Sequence, residues 1–97
     1  MSVLVLLEAK IKPENISEAK SYMAEILPDT RSYDGCQGID VYSNTEDKAS
    51  IVMVQQWESR AHHEKYSAWR KETGVVEKIG AMMTVPSTIR YFEKNDI

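Results

Sequence analysis

Two short stretches constrain this chain most: Val3–Leu7 (VLVLL) and Ile51–Val54 (IVMV) are apolar at every position. A strand with one face in water alternates apolar and polar residues, whereas a strand covered on both faces does not. Turn-forming and polar residues bound both runs, KPEN after the first and QQWES after the second. The spacing predicts two interior strands, from Val3 to Ile11 and from Ser50 to Glu58.

The segments around them complete the order. A helix is expected from about Ile16 to Leu27, capped by Asn15 with Glu18 as its capping-box partner. Ile16, Ala19, Met23 and Ile26 or Leu27 give that helix an apolar stripe, Pro28 disturbs it, and YDG ends the region. Cys36–Ser43 alternates, with Ile39 and Val41 against Asp40 and Tyr42, which is the pattern of a half-buried strand. After the turn NTEDK and the third strand, Ser59 caps a helix from Arg60 to about Lys71, and Gly74 closes it. A further helical stretch is expected from Val75 to Met83, weakened by Gly80, and a last strand from Ser87 to Phe92.

The order β-α-β-β-α-β is the split βαβ, an α+β ferredoxin-like arrangement, here read as one domain over residues 1–97. Right-handed crossovers place the first and third strands in the middle of a four-stranded antiparallel sheet. Helices cover only one face of such a sheet, yet the interior strands are apolar on both. A second copy of the chain is the simplest cover, so a homodimer packed sheet to sheet is expected.

Charge and composition narrow the function. The net charge is −3 and the basic residues are scattered, which argues against a nucleic-acid surface. The single cysteine, Cys36, has no internal partner and reads as a small buried residue in a reducing compartment. The first apolar run stops at Glu8 and has no basic leader, so neither signal peptide nor membrane span is expected and a cytoplasmic location is. No glycine-rich phosphate loop is present.

The densest chemistry lies in QQWESRAHHEKYSAWR, residues 55–70, which holds both histidines and both tryptophans. His62, Tyr66 and Trp69 fall at i, i+4 and i+7 on one helix face, while His63 falls with Ser67 and Arg70 on the other. The expectation is therefore that His62 points to the sheet and His63 to water. In the first helical turn the macrodipole disfavours imidazolium, so His62 would be neutral and able to exchange a hydrogen bond with a ligand. A Tyr and Trp stripe at helical spacing is more often core packing, and that reading stands beside the functional one. The adjacent histidines diverge, and no third histidine or second cysteine exists to complete a metal site, so no metal is expected.

GCQGIDVYSN followed by ASIVMVQQWESRAHHEKY resembles the antibiotic biosynthesis monooxygenase superfamily. The resemblance rests on a glycine-containing second strand and a third strand ending Gln55, Gln56, Trp57, Glu58, Ser59 before a helix. It implies a dimeric α+β barrel and, in the quinol-monooxygenase-like members, oxygenation of a small aromatic or quinol-type substrate without metal or organic cofactor. His62 matches a histidine of those members. One turn later, where many relatives place another histidine, this chain has Tyr66. A further one is missing near Lys71. The haem-degrading branch fits poorly: Leu6, Leu7 and Glu8 occupy the place of its strand asparagine, its tryptophan falls at Tyr66, and its histidine falls near Val76. On this resemblance His62 would be the base, Tyr66 a donor, Trp57 and Trp69 the walls around a ring, and Arg90 an anion stabiliser. The parity of the last strand, Ile89 and Tyr91 against Arg90 and Phe92, is open. So is the activity: an isomerase of a small metabolite using the same histidine, or a non-catalytic dimeric ligand-binding module, are the alternatives.

Overall fold

The computed structural model describes residues 2–97. Its elements are β1 (Val3–Lys10), a 3-10 turn (Pro13–Asn15), α1 (Ile16–Arg31), β2 (Cys36–Ser43), β3 (Ser50–Trp57), α2 (Arg60–Glu72), α3 (Val75–Gly80) and β4 (Thr88–Glu93). The strands form one antiparallel sheet in the order β2-β3-β1-β4, so the two uniformly apolar strands are the interior pair, as expected. This is the ferredoxin-like α+β fold.

β1 and β3 run side by side with Leu7 opposite Met53 and Ala9 opposite Ile51. Val3, Val5, Ala9, Ile51, Met53, Gln55 and Trp57 are buried beneath the helices. α1 adds Ala19, Met23 and Leu27 to a large core cluster, and Val3, Val5 and Trp57 form a smaller one. Leu4, Leu6, Val52 and Val54 project from the opposite face of the sheet, which no helix covers, and are only half-buried there.

Three local expectations are corrected. Asn15 stands at the N-cap of α1 but makes no side-chain cap bond, because the preceding 3-10 turn already leads the backbone into the helix. Pro28 does not end α1, which continues to Arg31. Proline removes the bond to the carbonyl four residues back, that of Ala24, and Ala24 and Pro28 both lie on the exposed side, where water replaces the bond. α3 stops at Gly80 rather than Met83, and Met83 instead bridges to Ile11. The cap by Ser59 and the left-handed stop at Gly74 (φ 82°) are as expected.

Candidate functional site

A cavity of about 270 Å3 lies between the sheet and the helices. Its walls are mostly apolar, with Leu7, Met23, Ile51, Met53 and Ile79 among them. Most of the polar part of the wall comes from α2 and β3: His63, Tyr66, Ser67, Arg70 and Lys71 from the helix, Gln55 from the strand. The volume is at the small end of ligand sites, roughly 300–1,000 Å3, and suits a small ring system.

The face of α2 turned to the sheet therefore carries His63, Tyr66 and Arg70, at i, i+3 and i+7, and the expected orientation of the two histidines is reversed. His63 is 2 % exposed and Arg70 6 %. His62 is half-exposed at the start of the helix. There the Ser59 hydroxyl accepts from the His62 backbone N–H at 3.1 Å and meets its Nδ1 at 2.6 Å. Its Nε2 lies 3.4 Å from the Glu58 carboxylate. The ring also rests on Gly35, where a Cβ would come within 2.5 Å of it. His62 is thus occupied in fastening the β3–α2 turn and does not line the cavity.

The other residues singled out in the sequence divide between support and wall. Tyr66 lines the cavity, and its hydroxyl lies 2.6 Å from that of Thr30 and accepts from Arg70 Nε at 2.9 Å. Trp57 is fully buried, donates from Nε1 to Gln55 Oε1 at 2.9 Å, and backs His63 and Tyr66 with ring centroids 5.4 and 5.0 Å away. It supports the wall without lining it. Trp69 turns sideways and stacks on Tyr33 at 5.1 Å. Arg90 lies on the uncovered face of the sheet, paired with Glu8 in the register beside Leu6, so it cannot reach the cavity. The parity of β4 is thereby fixed: Ile89 and Tyr91 face the helices.

Tyr91 is a site residue that sequence reasoning missed. Its hydroxyl is 2.8 Å from His63 Nδ1. Burial pushes the His63 pKa down, Glu64 opposing weakly, and burial pushes that of Tyr91 up. Both groups are therefore neutral near pH 7. With Nδ1–H donated to Tyr91, Nε2 of His63 carries a lone pair; in the other tautomer Tyr91 donates and Nε2–H is a donor. Gln55 shares the strand parity of Met53 and Trp57, which was visible in the sequence. Nothing in the sequence signalled the buried Arg70, because its partners belong to α1.

Three side-chain nitrogens of Gln55, His63 and Arg70 have no hydrogen-bond partner among the described residues: Gln55 Nε2, His63 Nε2 and Arg70 Nη1. No sealed side-chain nitrogen or oxygen among these residues lacks a partner, so all three border open volume, and the cavity is the volume their residues line. No group of three or more metal-ligating side chains occurs among the described residues.

The sequence profile of the antibiotic biosynthesis monooxygenase family matches residues 2–72. The chain belongs to that family. Solved structures share its fold. A crystal structure of an antibiotic biosynthesis monooxygenase is 24 % identical, with 96 % of this chain and 98 % of that one covered and a TM-score of 0.86. A conserved protein from Methanosarcina mazei Go1 is 16 % identical over 98 % of this chain and 94 % of its own, with a TM-score of 0.89. A protein from Mycobacterium tuberculosis is 18 % identical over 100 % and 98 %, with a TM-score of 0.86. No curated protein matches the chain. At these identities the likeness carries the fold, and the chemistry rests on this chain's own residues. The family-matched segment contains Gln55, His63, Tyr66 and Arg70, whereas Tyr91 lies beyond it.

Proposed function

We propose that the protein is a monooxygenase that uses no metal or organic cofactor and acts on a small aromatic, quinol-type substrate bound between the sheet and the helices. The observation that carries this reading is the largely apolar cavity with neutral His63 in its wall, its Nδ1 held from behind by the Tyr91 hydroxyl. His63 replaces His62 as the base. It accepts the substrate hydroxyl proton at Nε2, and Gln55 and Tyr66 orient the ring and its oxygen. The anion formed is electron-rich enough to reduce dioxygen itself. Oxidation of a phenol to a quinone places one atom of dioxygen on the ring. The other atom leaves as water with the two hydrogens the substrate gives up, so no external reductant is required.

A second copy of the chain is proposed to cover the open sheet face. Leu4, Leu6, Val52 and Val54 offer the apolar centre there, Tyr42 and Phe92 extend it, and Glu8, Asp40 and Arg90 form a rim carrying both charges.

Oxygen uptake with a panel of quinols and polyphenols tests the activity. Native protein and His62→Ala are expected to consume oxygen, and His63→Ala to lose at least about a hundredfold in rate. Equal uptake by native protein and His63→Ala would overturn the assignment. The two tautomers of the His63–Tyr91 pair also suit proton shuttling in an isomerase. Histidine-dependent conversion of substrate without oxygen uptake would favour that reading.

A further inference from the structure

Arg70 is a buried cation without a counter-ion. Three of its five N–H donors are used, and each goes to a neutral acceptor. Nε reaches Tyr66 Oη at 2.9 Å, and Nη2 reaches the Ile26 carbonyl at 2.7 Å and Thr30 Oγ1 at 2.9 Å. Among the described residues it joins no ion pair. The Trp69 ring lies 4.5 Å from its guanidinium carbon, which softens the burial of the charge without neutralising it. Removing an uncompensated charge from water is costly, so such a group is normally paired. The two remaining donors, on Nη1, border the cavity.

The cavity as a whole repeats the imbalance. Its lining contains Arg70 and Lys71 and no aspartate or glutamate, in a chain whose net charge is −3. On α2 the cation stands seven residues beyond His63, about 10 Å along the axis, with Tyr66 between them. A base at one end of the cavity and a cation at the other define a ligand with two unlike ends.

We propose that the pocket takes a hydroxyaromatic carboxylic acid, with its ionisable hydroxyl at His63 and its carboxylate on Arg70 Nη1. The inference rests on the oxygenase reading for which end reacts, and it adds the substrate class. Only Nη1 is left, so the carboxylate is held by charge-assisted hydrogen bonds from one nitrogen rather than by the two-nitrogen fork. The charge is bound where the three used donors already fix the guanidinium, two of them to α1 and one to Tyr66. Its orientation is therefore set before the ligand arrives.

The test is a binding measurement that needs no turnover. Calorimetric titration with 6-hydroxy-2-naphthoate and with its methyl ester compares two ligands of nearly equal shape, with and without the charge. Native protein is expected to bind the acid at least about tenfold more tightly than the ester. That preference is expected to disappear in Arg70→Met and to persist in Lys71→Met. Equal binding of acid and ester, binding of neither, or a preference that persists in Arg70→Met and vanishes in Lys71→Met would overturn the proposal. If Arg70→Met does not fold, the native protein still decides. The Arg70 side-chain N–H resonances are expected to shift on adding acid and to stay in place with ester, and their indifference to the acid would overturn the assignment. Oxygen uptake is read separately, so a protein that prefers the acid but consumes no oxygen retains this inference and loses the oxygenase reading. Uptake with neutral quinols and no acid preference does the reverse.

Discussion

His63 and His62 are neighbours with opposite fates, and the difference is measurable. Burial lowers the His63 pKa from its ordinary 6.5. Between the lowered value and 6.5 the unfolded chain binds a proton there that the folded protein refuses. This contribution to stability is therefore complete above pH 6.5, declines as the pH falls through that value, and levels off below the folded-state pKa. Thermal melts of native protein and His63→Gln are expected to diverge in slope across that window, the variant showing the shallower acid-side fall. Parallel curves would show that His63 is not held neutral. By the same argument the acid limb of any His63-dependent rate lies below the ordinary histidine range. His62 has a different test. Gly35 has φ 89° and lies against the His62 ring, so Gly35→Ala incurs both backbone strain, about 1–2 kcal/mol, and a clash. A His62→Ala background removes the ring atoms but keeps the Cβ, 2.6 Å from the added methyl, so part of the clash is relieved and chemical denaturation is expected to show a smaller loss for the same glycine substitution. Additive losses would remove the contact from the account.

α2 shows where reading residues by hydrophobicity stops working. Its existence, its Ser59 cap and its Gly74 stop are local features, and all were legible. Its rotation was not. Ranking side chains by polarity turns Trp69 inward and Arg70 outward, and the structure does the opposite. Arg70 is inward because the Ile26 carbonyl and the Thr30 hydroxyl, forty or more positions away in the chain, accept its donors. Trp69 is lateral because Tyr33 offers a ring to stack on. The same clamp joins the end of α1 to α2, so Thr30→Val is expected to destabilise by about 1–3 kcal/mol, since it leaves donors of Arg70 and the Tyr66 hydroxyl short of a buried partner. Urea denaturation measures this. A loss no greater than that of an exposed threonine would mean the clamp carries little of the stability. α1 is the converse case, in which the local signal at Pro28 was real but weaker than packing of the buried Leu27 and Thr30 on either side of it.

The whole molecule is a sheet with helices on one side and an apolar surface on the other. If a second copy covers that surface, a charge placed at its centre should abolish the association while leaving the cavity untouched. Val54→Glu is expected to give a monomer by light scattering at concentrations where native protein is a dimer, with a lower melting temperature; a monomeric native protein would refute the dimer. Strand order, the identity of the interior strands and the helix-bearing connections were all legible in the sequence, because alternation, turn residues and caps are short-range and repeat along the chain. It also carried the family resemblance through the run from Gly35 to Tyr66, within residues 2–72 of the family match. The packed structure was needed to show which histidine faces the cavity, that Tyr91 rather than Arg90 takes the helix side of β4, and that Arg70 is buried. Each of those depends on a partner distant in sequence. The phase of a helix and the parity of an edge strand are set by what they pack against, and a strand whose residues read equally well on either face carries no local record of the choice.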